Sequence, residues 1–200
     1  MREPFRRFVE SELGAGVLLI TCGLPGTWKT ETSEEISSIK GYPILRSDLI
    51  RLDVLKGEDI FDNRVASDMN KRTMVYDEAF RRADEALDKD DSVILDATFV
   101  TQSLRKRAAG IAARHGKTFV ILQTHCPQEE AVARILRRTQ ERYESNALTE
   151  QAYLNNKAKF EEVDLDELKR SYPGLDILHL IVDTQYDSPP DWYIIGVDQR

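Results

Sequence analysis

Val17-Leu18-Leu19-Ile20-Thr21-Cys22-Gly23-Leu24-Pro25-Gly26-Thr27-Trp28-Lys29-Thr30 decides the fold. Six residues of apolar, buried-strand character run into a glycine turn, and a helix start follows. The template for a phosphate-binding loop is G-x-x-x-x-G-K-[ST] in this setting. Gly23, Lys29 and Thr30 fit it, and Trp28 stands where the second glycine belongs. Glycines let a backbone turn its N–H groups inward as an anion nest. The helix N-terminus adds partial positive charge. Lys29 would reach the β- and γ-phosphates of a nucleotide, and the Thr30 hydroxyl would ligate Mg²⁺. Gly23, Leu24, Pro25, Gly26, Thr27, Trp28, Lys29 and Thr30 are therefore the expected nucleotide-binding residues. Any residue can supply the N–H at position 28, provided φ there is negative. The indole must also point away from the phosphates, packed beneath the loop or beside the nucleotide. Otherwise it marks a degenerate site.

Outward from this stretch, apolar runs alternate with helical patterns. Residues 1–12 read as a short amphipathic helix through Phe5, Phe8 and Val9. The helix after the loop runs to about Lys40, with Ile36 and Ile39 inward and Gly41 as its stop. Residues 42–47 form a second strand with Asp48 at its carboxyl end. From Asn63 to Lys89, the positions Met69, Thr73, Tyr76, Phe80, Ala83 and Leu87 make one helical stripe of core residues. Ser92–Asp96 is a third strand, with Thr101 capping the next helix and Gly116 ending it. Thr118–Thr124 is a fourth strand. Pro127 opens a helix with Glu129 and Glu130 in its first turn. A further helix spans about 149–163, and Ile177–Val182 is a fifth strand. Trp192, Tyr193, Ile194 and Ile195 dock a C-terminal tail of about 184–200. Strands alternating with helices predict an α/β fold: a five-stranded parallel sheet covered on both faces, in one domain over 1–200.

Composition narrows the function. The chain has 200 residues, 41% hydrophobic and 32% charged, with a net charge of −7. That balance leaves nucleic acid possible but disfavours it as a partner. Cys22 and Cys126 read as reduced, buried thiols of a cytoplasmic protein. No apolar stretch approaches a membrane span, and three histidines without ligand spacing argue against zinc.

Open parallel sheets bind ligands outside the carboxyl ends of their strands. The phosphate loop, Ser47-Asp48 and Asp96-Ala97-Thr98 all end at that edge. Asp96 has the form of a carboxylate that holds a Mg²⁺ water or Thr30. Asp48 is placed to take the proton of an attacking hydroxyl. Arg51 shares a helical face with it and would orient an acceptor or bind a phosphate. Arg134, Arg138 and Arg142 form a stripe at four-residue spacing. They suit a lid of about 134–150 that neutralises charge as a phosphoryl group moves.

With these motifs in order, the chain resembles the P-loop kinase-like ATPases grouped with AAA-type kinases. Relatives in that group include polynucleotide kinase, chloramphenicol phosphotransferase, zeta toxins and gluconate kinase. The resemblance rests on Gly23-Leu24-Pro25-Gly26…Lys29-Thr30, Ser47-Asp48…Arg51, Ile94-Leu95-Asp96-Ala97-Thr98, Cys126-Pro127, Arg134…Arg138 and Ser145-Asn146-Ala147. It implies a three-layer nucleotide-kinase-like sheet of strand order 2-3-1-4-5, and use of ATP or another NTP with Mg²⁺. It implies a phosphotransferase acting on a small or nucleotide-like hydroxyl acceptor. By the same resemblance Lys29, Asp48 and Arg138 are catalytic, with Asp48 the base. Arg134 and Arg138 are nucleotide-side lid arginines. Thr30 and Asp96 are the metal ligands, and Asp48, Arg51 and Thr98 are on the acceptor side. Two departures stand out: Trp28 for glycine, and Asn146 for an aspartate usual near the lid. They support a rival reading as a nucleotide-binding module with weak or no catalysis. A polynucleotide 5′-hydroxyl kinase is a further alternative.

Overall fold

β2 (Val17–Cys22) is buried at every residue because it lies inside a sheet between two parallel neighbours, β4 (Val93–Asp96) and β5 (Thr118–His125). Successive side chains of a strand point to opposite faces. Leu18, Ile20 and Cys22 join one core cluster with Tyr76, Phe80, Ala108 and Leu168. Val17 and Leu19 join a second with Phe5, Ile36, Val182 and Trp192. With both faces covered, a continuous apolar run is the expected sequence. The computed structural model describes residues 2–60, 62, 64–65, 68–137 and 147–200.

β1 (Glu3–Pro4) leads into α1 (Phe5–Glu12), whose Phe5, Phe8 and Val9 are buried. α2 (Lys29–Lys40) follows the loop and stops at Gly41, whose N–H donates to Ser37 O. β3 (Ile44–Arg46) runs directly into α3 (Ser47–Val54). α4 (Met69–Leu87) begins where the Asp68 carboxylate accepts from the N–H groups of Asn70 and Lys71. α5 (Gln102–Arg114), α6 (Gln128–Leu136), α7 (Glu150–Lys159) and α8 (Leu165–Ser171) cover the rest of the sheet and the loop. β6 (Ile177–Asp183) and β7 (Tyr193–Gln199) close the chain.

The sheet corrects the expected strand count, and with it the full order. It has seven strands in the order β1-β7-β6-β5-β2-β4-β3, not five; the five expected strands keep their 2-3-1-4-5 arrangement within it as β3-β4-β2-β5-β6, and β7 and β1 extend it beyond β6. β7 pairs antiparallel with β6, and β1 pairs antiparallel with β7. β3, β4, β2, β5 and β6 run parallel to one another. The added strands come from the two termini, where a short strand and a mixed apolar tail carry little period-two signal. The tail does dock: Trp192 is fully buried and its ring meets Phe5 edge-on at 6.0 Å.

Two helical readings change as well. The α4 stripe starts about two turns later than the spacing suggests, since Met69 and Thr73 are exposed, and Val75, Tyr76, Ala79, Phe80, Ala83 and Leu87 are buried. Asn63, the proposed start, lies outside the described residues. The helix expected over 149–163 ends at Lys159, and α8 is a separate helix capped by the Asp164 side chain.

Candidate active site

The loop between β2 and α2 is held from beneath by close backbone contact. A Cβ at Gly23 would lie 2.7 Å from Thr124 Oγ1, and one at Gly26 would lie 2.3 Å from Ala131 O, so no side chain fits at either position. Their φ values, 144° and 80°, also favour glycine. Thr27 Oγ1 lies 2.6 Å from Thr124 Oγ1 and donates to Leu24 O at 2.8 Å. The Lys29 ammonium donates to Leu24 O at 2.7 Å, at the first turn of α2.

Trp28 departs from the condition set by the sequence. Its φ is 58° and its ψ 35°, the left-handed region that a template glycine adopts without strain. For a bulky residue that conformation costs about 1–3 kcal/mol. The indole packs against the core cluster that contains Phe5, Ile36 and Trp192. Its Nε1 is buried without a hydrogen-bond partner among the described residues. The Arg134 guanidinium lies over the ring, 4.7 Å from its centroid.

Asp96, at the end of β4, is buried and joined to the loop. Thr30 Oγ1 donates to its Oδ2 at 2.6 Å, and Thr21 Oγ1 lies 2.9 Å from its Oδ1. β3 places Arg46 in register with Asp96, which brings the first turn of α3 and Asp48 to the same edge. Burial raises the Asp48 carboxyl to about 6, the Asp96 charge adds to this, and Arg51, Lys29 and Arg46 oppose it. Four charged side chains from three strand ends therefore act on Asp48. Arg51 keeps Nε and Nη1 buried without a hydrogen-bond partner among the described residues. An unsatisfied buried donor costs about 1–3 kcal/mol, which an oxyanion at that point would recover.

Thr98 follows β4 and touches the loop. Its main-chain carbonyl accepts from Gly23 N at 3.2 Å, and its hydroxyl lies 3.4 Å from Tyr76 Oη. Tyr76 Oη in turn accepts from the N–H of Phe99, a residue at φ 44°.

The two arginines that the sequence assigned to a lid differ. Arg138, with Arg142 and Asn146, lies outside the described residues. Arg134 is 3% exposed and already engaged. Its Nε donates to Asp187 Oδ1 at 2.9 Å, Nη1 to Gly26 O at 3.2 Å and Nη2 to Gln185 O at 2.7 Å. To reach a phosphate it would have to leave these partners.

Arg105 escaped the sequence reading. It is wholly buried on α5 and spends its guanidinium on the carbonyls of Phe99, Val100, Glu161 and Glu162 and on Gln102 Oε1. It thereby ties the loop after β4 to the chain leaving α7. Its one signal is an arginine on the apolar face that carries Ala108, Ala109 and Ala112.

A family model described as an AAA domain (AAA_33) matches residues 18–163. Solved structures with this fold include a gluconokinase from Sinorhizobium meliloti 1021, 17% identical, covering 86% of this chain and 84% of that one at a TM-score of 0.52. A sugar kinase from Janibacter sp. HTCC2649 is 15% identical and covers 88% of each chain at a TM-score of 0.57. Kti12 of Chaetomium thermophilum, in complex with ADP-AlF3, is 20% identical and covers 72% of this chain and 80% of that one at a TM-score of 0.55. At these identities the likeness concerns the fold, a kinase-like P-loop architecture. No curated protein matches the chain in sequence.

Proposed function

The chain belongs to the AAA domain family, and from that premise we propose that it is an ATP- or NTP-dependent, Mg²⁺-requiring phosphotransferase acting on a hydroxyl acceptor. One observation carries the reading: the Thr30 hydroxyl meets Asp96 at 2.6 Å where the loop enters α2, while Asp48 stands at the neighbouring strand end within the field of Asp96. Nucleotide-side and acceptor-side groups thus converge on one edge.

The loop amides and Lys29 would bind the β- and γ-phosphates. Thr30 Oγ1 and Asp96 offer hard oxygens that fit Mg²⁺, an ion that takes its other ligands from phosphate and water. When bound, Mg²⁺ supplies positive charge against the phosphate oxygens. Asp48 would accept the acceptor's hydroxyl proton as that oxygen bonds to the γ-phosphorus. The bond from the γ-phosphorus to the bridging β-oxygen breaks, and the nucleoside diphosphate leaves. Arg51, with its unsatisfied N–H groups, would orient an acceptor or phosphate oxygen beside Thr98. Arg138 is the arginine we assign to the moving phosphoryl group. The gluconokinase and the sugar kinase that share this fold favour a small polyhydroxyl acceptor.

The test is transfer of labelled γ-phosphate to a panel of sugars, small hydroxyl compounds and 5′-hydroxyl oligonucleotides. We expect at least one acceptor to be labelled, and Asp48→Asn to lower kcat by about 10²–10⁴-fold. A panel left unlabelled by protein that binds MgATP would contradict transfer and leave the rival reading, a nucleotide-binding module. The left-handed Trp28 is the observation that favours that rival.

A further inference from the structure

Three consecutive loop residues are each gripped from elements far away in the sequence. Gly26 O accepts from Arg134 Nη1 at 3.2 Å. Thr27 O accepts from Thr184 Oγ1 at 3.0 Å. The Trp28 ring lies under the Arg134 guanidinium at 4.7 Å. Arg134 is itself fixed by Gln185 O and Asp187, and Asp187 also lies 3.6 Å from Arg137. The segment that leaves β6 therefore holds the loop through Arg134 and Thr184.

The peptide unit is planar and trans, so its C=O and N–H point in opposite directions. Tying the carbonyls of Gly26 and Thr27 to Arg134 and Thr184 turns the N–H groups of Thr27 and Trp28 away from those side chains. Amides ordered in that way, ahead of a helix start, are what an anion nest requires. Glycine at position 28 would remove the strain but also the ring that the guanidinium covers. It would add backbone freedom to a loop that must be ordered to bind. The indole Nε1 has no hydrogen-bond partner among the described residues, so packing and the cation–π contact hold the ring in place.

We propose that Trp28 and Arg134 form a clamp that pre-arranges the phosphate loop, so that the tryptophan strengthens nucleotide binding instead of impairing it. The clamp rests on the nucleotide-binding reading above. Arg134 acts in it as a positioning residue, through the Gly26 carbonyl and the Trp28 ring, and not as a ligand of the phosphates.

Two readouts test it. Calorimetry with MgATP compares the native protein with Trp28→Gly, Trp28→Phe and Arg134→Lys. Amide hydrogen exchange over residues 24–30 is followed in the protein alone. The clamp predicts that Trp28→Gly, although it completes the glycine template, weakens MgATP by about tenfold or more and speeds exchange in the loop. Trp28→Phe keeps an aromatic face for the guanidinium and falls between. Arg134→Lys, which loses the planar fork, weakens binding in the same direction and carries the test if Trp28→Gly fails to fold. Trp28→Gly binding as tightly as the native protein or tighter, or unchanged loop exchange in a folded variant, would overturn the clamp alone. A native protein silent towards MgATP would instead overturn the nucleotide-binding reading, and the clamp with it.

Discussion

Asp48 shows how much of the proposed chemistry is set by single residues placed together from distant parts of the chain. Its carboxyl is raised to about 6 by burial and then by Asp96. The rate of transfer should therefore climb as pH rises through about 6, where Asp48 loses its proton, and level off above 7. A pH profile of kcat/KM checks this, and a profile flat from pH 5 to 8 would exclude Asp48 as the base. Stability runs the other way. The folded chain binds the Asp48 proton more tightly than the unfolded chain does, so this residue's contribution falls as pH rises from about 4 to about 6. Without nucleotide or Mg²⁺, Asp48→Asn should stabilise the fold at pH 8 by about 1–2 kcal/mol, a value reduced for the part of the side chain that water reaches. The gain should vanish near pH 4, as urea titrations at the two pH values will tell. The position of Asp48 was legible from the strand that precedes it. Its charge state was not, because Arg46 and Asp96 act on it from two strands 50 residues apart in sequence. The backbone of Trp28 was likewise hidden: a left-handed tryptophan is readable only once the ring's partners are known.

At the scale of elements, the loop after β4 depends on α5. The five N–H bonds of the Arg105 guanidinium match five oxygen acceptors, four of them main-chain carbonyls. Among the described residues no carboxylate lies within ion-pair distance of it, so carbonyl dipoles and the Phe160 ring at 5.2 Å offset the buried charge. A lysine brings at most three donors. Arg105→Lys should cost about 2 kcal/mol and Arg105→Ala about 3–5 kcal/mol, because removing the cation leaves buried carbonyls unpaired. Denaturant melts check both values, and a loss below about 1 kcal/mol for Arg105→Ala would refute the strap. The helix itself was legible from its apolar spacing, as were α1, α2 and the strands of the parallel core. The strap was not, because a helical pattern says which face is buried and not that an arginine can be saturated there. The misplaced start of the α4 stripe has a similar cause: Met69 and Thr73 keep the helical period, but the Asp68 cap starts the helix at its exposed end.

Across the whole molecule, the carboxyl ends of the parallel strands bring together motifs as far apart as Thr30 and Asp96, 66 residues, and the termini widen the sheet beyond β6. Convergence was predictable, since parallel strands joined by helices deliver every loop of one kind to one end. The widening was not, because β1 is two residues long and β7 is apolar at only some of its positions. The C-terminal run does more than fill an edge. Thr184 reaches the phosphate loop directly, Gln185 and Asp187 reach it through Arg134, and Trp192 anchors the run by donating to Tyr186 O at 2.8 Å. Trp28 and Trp192 are the two tryptophans of the chain, and the first sits inside the proposed site. The central claim is that this loop binds nucleotide with Trp28 in place. It is tested most directly by titrating MgATP against tryptophan fluorescence, with Lys29→Ala as the control. The account predicts a saturable change in the native protein and a loss of about tenfold or more in affinity for the mutant. No fluorescence change in the native protein, together with no heat of binding, would contradict it.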